Sequence, residues 1–142
     1  MATLMRPFEL HPVLAADTLP VTSLDVAELL LMNDARFPWC ILVPRLVGLS
    51  EWHHLPADAR LPFMQEIDVV SRALLELPGI TKINVGALGN RVAQLHVHVL
   101  GRHPEDAAWP GPVWGFGTPE PYQEKAARAR LSHLRARMAG SR

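Results

Sequence analysis

Residues 94–100 alternate without a break: Gln94, His96 and His98 share one parity, Leu95, Val97 and Val99 the other. Only an extended strand sorts such a pattern into one polar and one apolar face, because successive side chains point to opposite sides. Residues 92–102 are therefore predicted to form a half-buried strand. Same-face neighbours in it lie roughly 6.5–7 Å apart, which sets two imidazoles and an amide in one row. The apolar face of such a strand needs a cover. Phe63, Ile67, Val70, Leu74 and Leu77, at spacings of 4, 3, 4 and 3, offer it as one face of a helix.

That helix is predicted to begin between Pro56 and Pro62, with Pro62 in its first turn where a missing N–H costs little, and to run to about Leu77. Pro78-Gly79 ends it. Before it lie short apolar runs that read as strands, 21–23, 27–32 and 37–43, the last two joined through Asn33-Asp34-Ala35-Arg36 as an antiparallel hairpin. A further strand is expected at 81–85. Residues 1–19, with Pro7 and Pro12, carry no long element, and 109–117, rich in Pro and Gly, reads as irregular chain whose tryptophans pack on the sheet. Strands cluster instead of alternating with helices, so the expected class is α+β with an antiparallel sheet. Neither the dinucleotide-binding nor the P-loop glycine pattern is present.

With 142 residues the chain suits a single domain, its core over about 20–115 and a C-terminal helical extension over about 119–140. Hydrophobic content of 49% and charged content of 20% exclude a disordered chain. No apolar run approaches the roughly 20 residues of a membrane span, and no signal-peptide core precedes residue 10. A lone cysteine, Cys40, inside an apolar run is consistent with the reducing cytoplasm. The zero net charge is unevenly spread: from Tyr122 onward six basic residues face one acid. Ala127, Leu131, Leu134 and Met138 give this tail an apolar stripe, so it is read as a helix docked on the domain or on a second subunit. Neither a membrane nor a nucleic acid is expected as its partner.

Chemically, an imidazole near its ordinary pKa of about 6.5 is a competent nucleophile at phosphorus or carbonyl carbon. A second one beside it can contact a phosphate oxygen. Gln94 adds two donors and an acceptor without charge, and the Gly89-Asn90-Arg91 turn can turn backbone N–H groups toward an anion. His-x-His on a strand is equally a metal-ligand spacing, which would need His53, His54, His103 or an acid to complete it. The row could also be the solvated face of an ordinary strand. From the residues alone, phosphate pocket, metal site and bland strand all remain open.

The run Gln94-Leu95-His96-Val97-His98-Val99-Leu100 resembles the signature of the histidine triad (HIT) family, in which three histidines alternate with apolar residues. Asn84, Gly86 and Gly89-Asn90 before it, and 30–33 with 41–45 upstream, are similar to that family's approach to the triad and to its nucleotide-binding strand pair. The resemblance spans roughly residues 20–114. It implies a five-stranded antiparallel sheet with one long helix, usually in a homodimer. It implies hydrolysis or transfer of a nucleoside monophosphate from phosphoramidates or dinucleoside polyphosphates, without a cofactor or required metal. By position, His96 matches the nucleophile and His98 its phosphate-contacting companion. Asn33 and Asn84 match polar residues near ribose and phosphate, Gly89 and Asn90 the phosphate-side loop, and residues around Leu30 would face the base. Gln94 stands where the first histidine usually stands. It can hydrogen-bond a substrate but cannot act as an acid, and such help is typically worth 10²–10⁴-fold. A nucleotide-binding protein without catalysis, and a zinc-dependent hydrolase, are the alternatives.

Overall fold

A computed structural model describes residues 6–140. Its elements follow in the order α1 (Pro12–Asp17), β1 (Thr18–Ser23), β2 (Ala27–Met32), β3 (Trp39–Pro44), a 3₁₀ turn (Trp52–His54), α2 (Ala57–Leu75), β4 (Lys82–Gly86), β5 (Val97–Arg102) and α3 (Glu124–Gly140). The five strands form one antiparallel sheet in the order β1-β2-β3-β5-β4. The α+β class and the β2–β3 hairpin expected from the sequence are therefore both present.

Strand parity divides the molecule into two cores. Leu29, Leu31, Cys40, Leu42, Leu95, Val97 and Val99 meet Phe63, Val70 and Leu74 of α2, with Ile67 and Leu77 at the margin. The helical stripe and the apolar parity of the 94–100 run thus find each other. On the opposite face Leu30, Trp39, Ile41, Val43 and Leu100 pack with Leu14 of α1, Phe37 and Val113. That second face also carries His98.

Several boundaries differ from the sequence expectation, each for a tertiary reason. β5 begins at Val97, not at residue 92. β3 ends at Pro44, which would stand opposite Leu95 in the observed register and has no N–H to give. Leu95 N–H bonds instead to the Leu49 carbonyl in the loop after β3. β1 starts three residues early because Thr18 and Leu19 pair with Met32 and Leu31 of the well-formed β2. α2 starts at Ala57, so Pro62 is its sixth residue, past the first turn. The first nineteen residues, read as lacking a long element, do contain the short helix α1, with Pro12 at its start and the His11 side chain accepting from Val13 N–H.

α3 docks on the domain. Leu134 and Met138 are buried in the α2-side core. Arg135 donates to the Val21 and Pro20 carbonyls (2.8 and 2.9 Å) on the outer strand β1. His133 Nε2 donates to the Ala73 carbonyl at the end of α2, and Arg137 pairs with Glu76. Part of the basic face is thus engaged in covering a sheet edge and joining helices. Beneath it, Glu66 of α2 is a buried carboxylate whose two oxygens accept from Val26 and Ala27 N–H (2.8 and 3.0 Å), fixing the β1–β2 turn to the helix. No helix among the described residues is long and apolar enough to cross a membrane.

Candidate active site

His96 and His98 lie side by side on the sheet face away from α2, with ring centroids 4.9 Å apart and planes inclined at 64°. Both are buried, at 7% and 5% exposure. Their surroundings give them opposite tautomers. The Nδ1 of His96 is 2.7 Å from the backbone carbonyl of Gln94, which can only accept, so Nδ1 carries the proton and Nε2 the lone pair of the neutral ring. The Nδ1 of His98 receives the indole N–H of Trp39 at 2.9 Å, and an indole nitrogen can only donate. The neutral His98 ring therefore carries its proton on Nε2. Burial, reinforced by the neighbouring His96, pushes the His98 pKa down to about 3. At neutral pH His98 is an uncharged hydrogen-bond donor, and the neutral form of the His96 ring beside it has its acceptor nitrogen at Nε2.

Two tryptophans hold His98 in place. Trp39, on β3 opposite Leu100, meets it at a centroid distance of 5.7 Å, and Trp114 meets it edge-on at 5.4 Å. Trp114 reaches that position across Gly86, which faces His98 in the β4–β5 register; a Cβ there would stand 3.2 Å from the Trp114 ring. The expectation that the tryptophans of the Pro/Gly-rich segment pack rather than stand free agrees with this placement. Trp109, for its part, lies over the Arg102 guanidinium.

Asn84 of β4 stands opposite Leu100, at the far end of the histidine row. Its Oδ1 accepts from Arg102 (2.8 Å). Arg102, 2% exposed, is gripped by both oxygens of Asp106 (2.7 and 3.0 Å) and by the Gly111 carbonyl. Burial alone would raise the Asp106 carboxyl, but hydrogen bonds from Arg102 and from the His103 backbone outweigh it and hold the pKa below the usual range. Asn33, just after β2, accepts from Tyr122 N–H through Oδ1 (2.9 Å). Next to it, Asp34 is buried and bound by Arg36 and by Glu120 N–H. Burial would raise its carboxyl as well, and those hydrogen bonds reverse the effect. Asn33 and Asp34 thereby fasten residues 119–122 beside the sheet. Between that segment and α1 lies a groove of about 360 Å³ whose lining includes Asp17, Met32, Asn33, Trp39 and Pro119.

The structure thus brings His96 and His98 together, holds Asn84 on the neighbouring strand, and places Asn33 in a groove bordered by Trp39. Gly89 and Asn90 occupy the exposed loop that leaves β4, with Gly89 in the left-handed conformation (φ 71°) that glycine adopts without strain. Gln94 departs most from the sequence expectation. It precedes the strand, and both ends of its amide are taken by the N-terminal segment: Oε1 accepts from His11 N–H and Nε2 donates to the Glu9 carbonyl, each at 2.8 Å. It is occupied by backbone and not free in a row with the imidazoles. His53 and His54 sit in the exposed 3₁₀ turn, and His103 faces Glu105. No group of three or more His, Cys, Asp or Glu able to hold a metal occurs among the described residues. Trp39, which bonds His98, is the residue of this arrangement that the sequence left unmarked. Its signal was a lone indole in the strand before Pro44, whose partner only the β3–β5 register reveals.

Comparison with known proteins agrees with this geometry. The HIT domain model matches residues 15–105. A histidine triad protein from Bradyrhizobium japonicum superposes with a TM-score of 0.91 at 39% identity, covering 94% of this chain and 99% of its own. Others from Marinobacter aquaeolei (TM-score 0.91, 41% identity, 95% and 98% covered) and Sinorhizobium meliloti (0.89, 41%, 92% and 96%) are equally similar. No curated protein matches significantly. With more than half of its length matched by the family model and its histidine pair on the expected strand, the chain belongs to the histidine triad family.

Proposed function

We propose that the protein is a nucleotide hydrolase or nucleotidyl transferase that cleaves at the α-phosphate of a nucleoside phosphoramidate or dinucleoside polyphosphate. The observation that carries this reading is the pair of opposite tautomers: a lone pair on His96 Nε2 and a proton on His98 Nε2, 4.9 Å apart ring to ring. His96 Nε2 attacks the α-phosphorus, a P–N bond forms, and the bond to the leaving group breaks with its electron pair departing on that group. Neutral His98 donates to a non-bridging phosphate oxygen, where negative charge grows in the transition state. Because His98 stays neutral and Gln94 carries no acidic proton, the leaving group takes its proton from water. Attack of water, or of another acceptor, on the nucleotidyl-His96 then releases the nucleotide and restores the imidazole.

The groove beside Trp39 suits a nucleoside. Met32, Trp39 and Pro119 offer apolar surface for a base, and Asn33 and Asp17 offer polar groups for the ribose. Asn84, and backbone N–H groups of the Gly89-Asn90 loop, are assigned to the phosphates. The test is a turnover screen of nucleotide conjugates with wild type and His96→Ala, read together with intact mass for a nucleotidyl adduct. Turnover and an adduct that both vanish in folded His96→Ala support the proposal; unchanged turnover in the variant refutes it.

The missing acid at position 94 favours one second reading, a nucleotide-binding protein without useful turnover. Calorimetric nucleotide binding with neither adduct nor product would establish that reading instead. The family's homodimer is proposed here as well. Trp52 and Val85 are 43% and 51% exposed, and they line an apolar groove with Ile67, Ala87 and Val97 beside the outer strand β4, a surface that suits a second copy. A monomeric mass by sedimentation at micromolar concentration would contradict it. The lone buried Cys40 suits a cytoplasmic setting.

A further inference from the structure

Gln94 sits where the relatives' first triad histidine is expected, yet its side chain faces the protein's own N-terminal segment. Its carboxamide accepts from His11 N–H and donates to the Glu9 carbonyl, both at 2.8 Å. A carbonyl at residue i and an N–H at residue i+2 are the pair that a neighbouring strand would engage in a sheet. The amide of Gln94 thus does for residues 9–11 what one residue of a strand partner would do. An imidazole cannot: its N–H and its lone pair point away from each other across the ring and do not both meet one backbone edge.

The segment held in this way borders the site. Phe8 and Leu10 pack against the core on the histidine face, alongside Leu30, Trp39, Ile41 and Val43. The chain then enters α1 through the His11 cap and Pro12, buries Leu14, and at Asp17 accepts from Asn33 N–H. Residues 8–17 therefore run from Gln94 to the groove at Asn33. Residue 94 also touches the nucleophile, since its backbone carbonyl is the acceptor that fixes the His96 tautomer. One residue joins the segment to the reactive imidazole: side chain to the former, main chain to the latter.

We propose that Gln94 is a positioning residue, a clamp that anchors residues 8–11 on the histidine face and so, through α1, sets the groove wall at Ala16 and Asp17, and that it does not stand in for the missing histidine in catalysis. The kinetic part of this inference rests on the nucleotide chemistry proposed above; the clamp itself does not. It follows that restoring the family's residue does harm: Gln94→His loses both amide bonds and gains no turnover.

The test has two arms. Amide hydrogen exchange on the full-length protein reads the clamp without substrate. His11 N–H is expected to exchange at least tenfold faster in Gln94→Ala and Gln94→His than in wild type. Gln94→Glu, which keeps the acceptor but loses the donor to Glu9, is expected to fall between. Steady-state kinetics reads the consequence: KM rises at least threefold in the Ala and His variants while kcat changes by less than threefold. Unchanged His11 exchange, or a kcat raised by Gln94→His, overturns the proposal. If wild type turns over no nucleotide conjugate, the functional reading fails, and the exchange arm alone decides the clamp.

Discussion

Lowering the pH from 7 to 5 should weaken the fold through one residue, His98. In the unfolded chain its imidazole titrates near the ordinary value of about 6.5. In the fold, burial and then the neighbouring His96 bring it down to about 3. Between those values the unfolded state binds a proton that the folded state refuses, so stability from this group is complete above about pH 6.5 and falls as the pH drops toward 3. Across pH 7 to 5 the linkage relation gives a loss of about 2 kcal/mol, steepening toward about 1.4 kcal/mol per pH unit below that. For a chain of this length that is a fall in Tm of roughly 6 °C. Other ionisable groups titrate too, so the measurement is a difference: thermal unfolding of wild type and His98→Gln at pH 7 and pH 5. His98→Gln starts lower, because its amide replaces a packed ring between Trp39 and Trp114. Its Tm nevertheless falls by about 6 °C less than that of wild type over the interval. Equal falls in the two proteins would refute the argument, and would mean that His98 is protonated in the fold despite the indole N–H aimed at Nδ1.

Three further outcomes follow from single contacts. Trp39→Phe keeps the ring but removes the donor to His98 Nδ1; ¹⁵N spectra of the imidazole should show the Nε2–H tautomer giving way to a mixture. Loss of one such hydrogen bond, at about 1.4 kcal/mol, lowers kcat about tenfold. Glu66→Ala leaves Val26 and Ala27 N–H without their acceptor in a buried turn and should cost about 2–4 kcal/mol, read as a lower urea midpoint at unchanged m. Asp106→Ala removes both carboxylate bonds from the Arg102 guanidinium, which is 2% exposed, and should cost about 3 kcal/mol or more in thermal or urea unfolding.

The sequence made the fold legible where one pattern had one physical solution. The alternating run 94–100 and the 4-3-4-3 stripe of Phe63 to Leu77 each left a single apolar face to bury, and these two faces meet in one core. Legibility failed where a partner strand or a missing N–H decided the outcome. Pro44 ends the β3 ladder and so delays β5 to Val97, while β2 extends β1 back to Thr18. The role of Arg135, which covers carbonyls of β1 from 114 and 115 residues away in sequence, has no local signature at all.

The same division runs through the site. The histidine pair was readable because its spacing of two residues is itself the geometry; the state of each ring was not, because it is set from outside the strand. Trp39 reaches His98 only through the β3–β5 register, and Glu9 and His11 reach Gln94 only because α1 brings the N-terminus along the sheet. Two imidazoles on one strand are chemically equivalent until something distinguishes them. Here a carbonyl below one and an indole beside the other do so, leaving a lone pair on His96 and a proton on His98. A His96→His98 role reversal would require both partners to exchange donor and acceptor character, which neither a carbonyl nor an indole can do. The division of labour is therefore fixed by the chemistry of the supporting groups, and a change at Trp39 should alter His98 while leaving the His96 tautomer, held by the Gln94 main chain, as it is.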